Sequence, residues 1–152
     1  MSTPSLSHTY FGSALTAGSA LTEATNGGYV VLNQFATLTS VSAGTAVDAT
    51  ITIPQNCAIL GFVLDTLTAP DAGAGTATTA PITIGTTAGG TQYVSATDCF
   101  LGGRTGITFT AAQLTAMSNT TTNTTINIRL DPNGTILTTQ GVFRVAVSYI
   151  ML

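Results

Sequence analysis

The chain has 152 residues and a mass of 15.3 kDa, enough for one domain with its own core and too short for two ordinary ones. Charged residues make up 6% of it, against about 25% in an ordinary soluble domain, and the net charge is −3. No lysine occurs, and Arg104, Arg129 and Arg144 are the only cations, which counts against nucleic acid and anionic membranes as partners because both are held by many Lys and Arg.

Mean hydropathy is +0.43, yet the longest apolar run, CAILGFVL at 57–64, is far short of the roughly 20 residues of a bilayer helix. The first residues, MSTPSLSHTYFGSALTAG, lack a basic stretch and a continuous hydrophobic one, so no secretory signal is expected. Threonine supplies about one residue in five. A surface so neutral suits burial against other subunits, where an unpaired charge would be costly. The composition therefore predicts a homo-oligomer or larger assembly.

In chain order, residues 1–28 read as an extended N-terminal arm, small and polar with isolated anchors Tyr10, Phe11, Leu15 and Leu21. Residues 29–152 read as a β-sandwich domain. Its first strand is expected over 29–40. In AVDATITIP, residues Val47, Ala49, Ile51 and Ile53 share one face, with Asp48, Thr50 and Thr52 on the other. CAILGFVLDTL is apolar on both faces and reads as a central strand.

The glycine-rich stretch DAGAGTATTAPITIGTTAGGT at 71–91 invites a phosphate-loop reading, but such a loop needs a lysine. A dinucleotide fingerprint fails too, since position 78 is Thr and Pro81 with ITI opposes a following helix. The stretch is better read as a loop at 69–79, a strand near 81–86 and a tight turn at Gly89–Gly90. Further strands are expected at 92–97 and 104–110.

Thr110 with Gln113 three residues later forms a capping-box pattern and predicts a short helix over 110–117. TTINIRL alternates Ile126, Ile128 and Leu130 against Thr125, Asn127 and Arg129. DPNG at 131–134 reads as a β-turn. GVFRVAVSYIML puts Phe143, Val145, Val147, Tyr149 and Met151 on one side and Arg144, Ala146 and Ser148 on the other. About eight short alternating strands punctuated by turn residues predict an all-β fold, an antiparallel β-sandwich that is jelly-roll-like.

The residues that could carry chemistry are few. His8 is the sole histidine and falls in the arm. Cys57 and Cys99 are too few for a structural zinc site and read as buried free thiols, with a disulfide as the alternative. Asp65, Asp71, Asp98 and Asp131 are scattered near strand ends, without a calcium-loop spacing. The sequons at Asn119, Asn123 and Asn133 follow from Asn and Thr richness. Tyr10, Tyr29, Tyr93 and Tyr149 read as packing residues rather than a sugar platform. No catalytic residue, cofactor or metal site is expected, and the chain does not read as an enzyme.

Three segments, ITIPQNCAILGFVLDTLTAP, PITIGTTAGGTQYVSATDCFLGGRTGITFTAAQLTAM and TINIRLDPNGTILTTQGVFRVAVSYIML, together resemble small structural proteins of tailed-bacteriophage virions. The likeness runs over about residues 46–152 and leaves the arm outside it. It implies a capsid decoration (cement) protein of the β-sandwich type, a trimer on the capsid surface whose partner is the major capsid protein, assembled in the host cytoplasm. On that expectation the arm lies over capsid subunits, pinned by Tyr10, Phe11 and Leu15. The alternative is a head-fibre or tail-associated module that binds carbohydrate or a receptor.

Overall fold

The computed structural model describes residues 30–41, 44–70, 76–134 and 139–152. The arm at 1–28, with His8, Tyr10, Phe11 and Leu15, lies outside the described residues, as do Tyr29 and residues 71–75 of the glycine-rich loop. In chain order the described elements are β1 (Leu32–Thr39), β2 (Val47–Ile53), β3 (Cys57–Thr68), β4 (Pro81–Gly85), β5 (Val94–Asp98), β6 (Gly103–Thr105), α1 (Ala111–Met117), β7 (Thr124–Leu130) and β8 (Val142–Met151).

The strands form two four-stranded sheets, in the orders β1-β8-β3-β6 and β2-β7-β4-β5. Their ladders are antiparallel. β1 pairs with β8, β2 with β7, β3 with β6 and β4 with β5. Two further ladders, β3 with β8 and β4 with β7, join these pairs into sheets. The Cys99 N–H donates to Ala80 and the Ser40 N–H to Gly141. These bonds draw the β5–β6 connection to β3–β4, and the β1–β2 connection to β7–β8, at one end of the molecule.

Period-two patterning explains which side each strand buries. On β8, Phe143, Val145 and Val147 are fully buried and Tyr149 nearly so, while the residues between them are only half-buried. Across the core stand Ile51 and Ile53 of β2, Ile82 and Ile84 of β4, and Ile126, Ile128 and Leu130 of β7. Each large aliphatic side chain sealed this way contributes about 1.5–3 kcal/mol relative to exposure. Tyr93 joins the same core, its ring centroid 5.9 Å from that of Phe62.

The helix forms as its sequence dictates. The Thr110 side chain accepts from the Gln113 N–H, and the Gln113 side chain accepts from the Thr110 N–H. The Gly89 backbone is left-handed (φ 73°) and the Gly90 N–H donates to Thr87, giving the expected tight turn.

Two expectations differ from what is observed. The strand expected at 104–110 pairs only over Gly103–Thr105. Ile107 and Phe109 still pack against the core, so period two there reports alternate burial without a ladder. DPNG spends its backbone on another segment, the Asp131 N–H donating to Pro81 and the Asn133 N–H to Thr79. The Asn133 Oδ1 in turn accepts from the Thr78 and Thr79 N–H groups at 3.0 and 2.8 Å. Local turn propensity has yielded there to a neighbouring chain segment offering better partners.

Thr83 Oγ1 is buried without a hydrogen-bond partner, while other polar groups tie the sheets and corners together. Gln34 of β1 donates from Nε2 to the Thr52 carbonyl of β2 and to the Tyr149 hydroxyl, tying one sheet to the other. The short β2–β3 corner carries Asn56 in the left-handed region (φ 57°), which Asn tolerates better than most residues. Buried Thr120 clamps that corner. Its hydroxyl accepts from the Cys57 N–H at 2.9 Å and donates to the Pro54 carbonyl at 2.7 Å, and its own N–H donates to Cys57.

Thr120→Val keeps the side-chain volume but strands the buried Cys57 N–H. It is expected to lower unfolding free energy by about 1–3 kcal/mol, read as an earlier urea midpoint. Thr120→Ser, which keeps the hydroxyl, is expected to lose less. A loss in Thr120→Ser as large as that in Thr120→Val would show that the methyl group matters as much as the hydroxyl, and a Thr120→Val protein as stable as wild type would refute the clamp.

Candidate functional site

The side chains that the sequence marks as chemically capable are dispersed, and most are occupied with structure. Cys57 and Cys99 are buried free thiols. Burial pushes the Cys99 thiol up, away from the reactive thiolate. Asp98 fastens a strand end, its Oδ1 accepting from the Ala80 N–H at 2.8 Å and the Phe100 N–H at 3.0 Å. Tyr93 and Tyr149 are core residues. Among the described residues no group of three or more His, Cys, Asp or Glu could hold a metal ion. No helix among them is long and apolar enough to cross a membrane.

What the fold does bring together is charge. Asp65 on β3 accepts from Arg104 Nε at 2.8 Å and from Arg104 Nη2 at 3.3 Å. Arg144 Nη2 of β8 reaches the same carboxylate at 2.9 Å. Strand register is the cause, since Asp65 lies opposite Arg144 on one side and opposite Arg104 on the other. Alternation shows that Arg144 faces away from the core, but nothing in the sequence tells which carboxylate it meets. The Asp65 side chain is only 12% exposed, while the Arg104 side chain is 68% exposed and that of Arg144 43%. Hydrogen bonds from Arg104 and then Arg144 outweigh burial and hold the Asp65 carboxyl at about 2. On the other sheet Asp48 and Arg129 form a two-pronged pair at 2.8 Å, which also lowers the Asp48 carboxyl.

A second feature is an open groove between α1 and the approach to β5, lined by Thr91, Gln92, Ser95, Thr110 and Gln113 together with Ala112 and Ala116. Its polar residues are neutral, and the two alanines give it an apolar wall. Gln113 is already committed: its Nε2 donates to the Thr91 carbonyl at 3.0 Å and to the Ser95 hydroxyl at 3.1 Å. The capping box was legible in the sequence, whereas this second duty of Gln113, tying helix to sheet, had no local signal.

The third feature is the outer face of the β1-β8-β3-β6 sheet. Phe35 on β1 is 70% exposed there, and Leu60 and Leu67 on β3 are each more than half exposed. Both leucines fall where the β3–β8 register shifts, between Ile59 and Gly61 and between Thr66 and Thr68. A bulge places an extra residue on the strand and turns its side chain off the regular alternation, so reading CAILGFVLDTL as evenly apolar did not single them out.

The Asp65 cluster makes stability depend on pH in a definite direction. The folded value of about 2 lies below the usual aspartate value of about 3.9. Its contribution is therefore complete above the unfolded value and is lost as pH falls towards the folded one. The urea midpoint of the wild type is expected to drop between about pH 4 and about pH 2. Asp65→Asn is expected to flatten part of that drop, with Asp48 supplying some of the remainder. A midpoint difference between the two proteins that is the same at both ends of the range would refute the assignment.

Comparison with known proteins adds a likeness of fold. No family model and no curated protein matches the chain. A solved structure described as "Cyanophage Pam1 capsid asymmetric unit" is similar with a TM-score of 0.59 and 24% sequence identity. The match covers 92% of this chain and 96% of that one. Identity of that order carries the fold, and the fold extends over nearly the whole of both chains.

Proposed function

We propose that this chain is a structural protein of a bacteriophage virion, and more narrowly a trimeric decoration protein that binds the major capsid protein lattice at the capsid surface. The observation that carries the reading is the near full-length likeness in fold to a chain from a cyanophage capsid. The strand order supports a jelly roll as the fold. Strands 1 to 4 pair in turn with 8, 7, 6 and 5, which is a long antiparallel ribbon rolled into two sheets, an architecture common in capsid proteins.

In this reading the chain's work is to bind, not to catalyse. A decoration protein holds a shell by covering area on several subunits, and a specific contact removes on the order of 1,200–2,000 Å² from water. Trimerisation then lets contacts that are individually weak act together. The low charge of the chain favours attachment that responds little to salt. Residues 1–28, with Tyr10, Phe11 and Leu15, supply the reach onto neighbouring subunits.

A second reading draws on the groove beside α1. Neutral hydrogen-bonding residues such as Thr91, Gln92 and Ser95 suit the hydroxyls of a sugar, which would make the chain a head-fibre or tail-associated carbohydrate-binding module.

The native mass separates an assembly from a monomer, and co-sedimentation with capsids lacking this protein tests attachment. The expected results are one species near three times 15.3 kDa and saturable binding little changed by salt. Removing residues 1–28 is expected to leave the sandwich folded and to weaken attachment by at least about tenfold. A chain that binds no capsid in any salt would end the decoration reading. For the second reading, a glycan screen followed by Gln92→Ala is decisive, because a sugar held in the groove would lose affinity in that variant.

A further inference from the structure

The two sheets present unlike surfaces to the outside. On the β2-β7-β4-β5 sheet the outward residues include Asp48, Thr50, Thr52, Thr125, Asn127 and Arg129, every one polar. On the β1-β8-β3-β6 sheet the register aligns Phe35 with Ala146 and Ala146 with Val63. The next row is polar on two strands, Asn33 opposite Ser148, with Leu60 at the bulge of the third, and beyond it Ala58 lies opposite Ile150. An apolar strip therefore crosses three adjacent strands, with Phe35 standing 70% exposed at its edge. Contiguous apolar surface of this kind marks a contact, and a single buried Phe covers about 150–250 Å².

Charge narrows what the contact can be. The row beside the strip runs Thr37, Arg144, Asp65, Arg104, two guanidiniums on one carboxylate, so this face carries a surplus positive charge. Two copies meeting through this face alone would set surplus against surplus. The surface that fits instead brings a carboxylate. Among the described carboxylates, Asp48 is held by Arg129, Asp65 by two arginines, and Asp98 by two backbone N–H groups. Asp131 is exposed, and no hydrogen bond or ion pair engages its side chain, although its charge is felt by Arg129. It follows β7, on the opposite sheet.

We propose that the outer face of the β1-β8-β3-β6 sheet is where one copy of this chain receives a second, with Phe35 buried at the contact and the second copy's Asp131 set against the Arg104–Arg144 surplus. The contact joins unlike surfaces, so it repeats around a ring and can close as a trimer. The inference rests on the oligomeric reading above and names the surface that builds the oligomer.

The test is the native mass of the full chain as a function of concentration, for the wild type and four variants. Phe35→Asp places an uncompensated charge in the strip and is expected to raise the dissociation constant by at least about thirtyfold. Asn119→Asp adds the same charge on the exposed connection between α1 and β7, at the other end of the strands from Asp131, and is expected to leave the oligomer intact, which separates the contact from a general effect of added charge. Asp131→Arg is expected to weaken assembly by about tenfold. Combining it with Arg104→Asp restores the sign pattern and is expected to recover most of the loss.

An oligomer indifferent to Phe35→Asp would assign assembly to another surface and overturn the proposal. So would a wild type that stays monomeric, since the strip would then await the arm or a different protein. A double variant no stronger than Asp131→Arg alone would overturn the pairing of unlike surfaces. Capsid co-sedimentation keeps the two readings apart. Oligomers that Phe35→Asp dissolves but that bind no capsid would support this inference while ending the decoration reading.

Discussion

The structure depends on one strand being paired on both edges and buried along one side. β8 lies between β1 and β3, and its inward residues Phe143, Val145, Val147 and Tyr149 form the floor of the core. Because it is the last described strand and its partner β1 is the first, the closing ladder is also the one of longest sequence separation among those described. Leu32 lies opposite Tyr149 and Thr39 opposite Val142. Such a ladder gains nothing until most of the chain has been gathered, which makes folds of this kind slow to form and cooperative once formed. Gln34 adds a polar check on the same closure, since its amide reaches both the Tyr149 hydroxyl and the Thr52 carbonyl of the other sheet.

Scarcity of charge shapes what surrounds this core. Nine charged side chains occur in the whole chain, and five of them are gathered into two clusters, Asp48 with Arg129 and Asp65 with Arg104 and Arg144. Exposed ion pairs contribute little to stability, so the clusters matter more for what they leave over. One neutralises itself on a threonine-rich sheet face. The other leaves a positive remainder beside an apolar strip. A protein with many lysines would blur that difference, whereas in this chain each unpaired charge has a distinct address.

The alternating strands were legible because period two is imposed by the strand itself and needs no knowledge of partners. Val47, Ala49, Ile51 and Ile53, or Phe143, Val145, Val147 and Tyr149, declare their inward side directly. The capping box of Thr110 and Gln113 was legible for the same reason, being complete within four neighbouring residues. What was not legible came from distance. Asp65 meets Arg104 across 39 positions and Arg144 across 79, and only register selects those pairs. Bulges obscured Leu60 and Leu67, and DPNG was read as a turn because its better partners, Thr78 to Pro81, lie some fifty residues upstream. At Ile107 and Phe109 the failure ran the other way, alternation continuing after pairing had stopped.

These two kinds of legibility bear on function differently. An active site has to concentrate scarce residue types at one place, and it often leaves a local trace in motif or spacing. A contact surface is assembled from common residues whose significance lies in being aligned across strands. Phe35, Ala146 and Val63 are unremarkable one at a time, separated by 28 positions or more in the chain, and become a continuous strip only through two registers. A fold that buries one side of each sheet must still present the other side to something. Where one outer side is threonine and asparagine and the other carries a row of phenylalanine, alanine and valine between polar rows, water satisfies the first better than the second. The difference between the two faces therefore carries more functional information than any single residue on either.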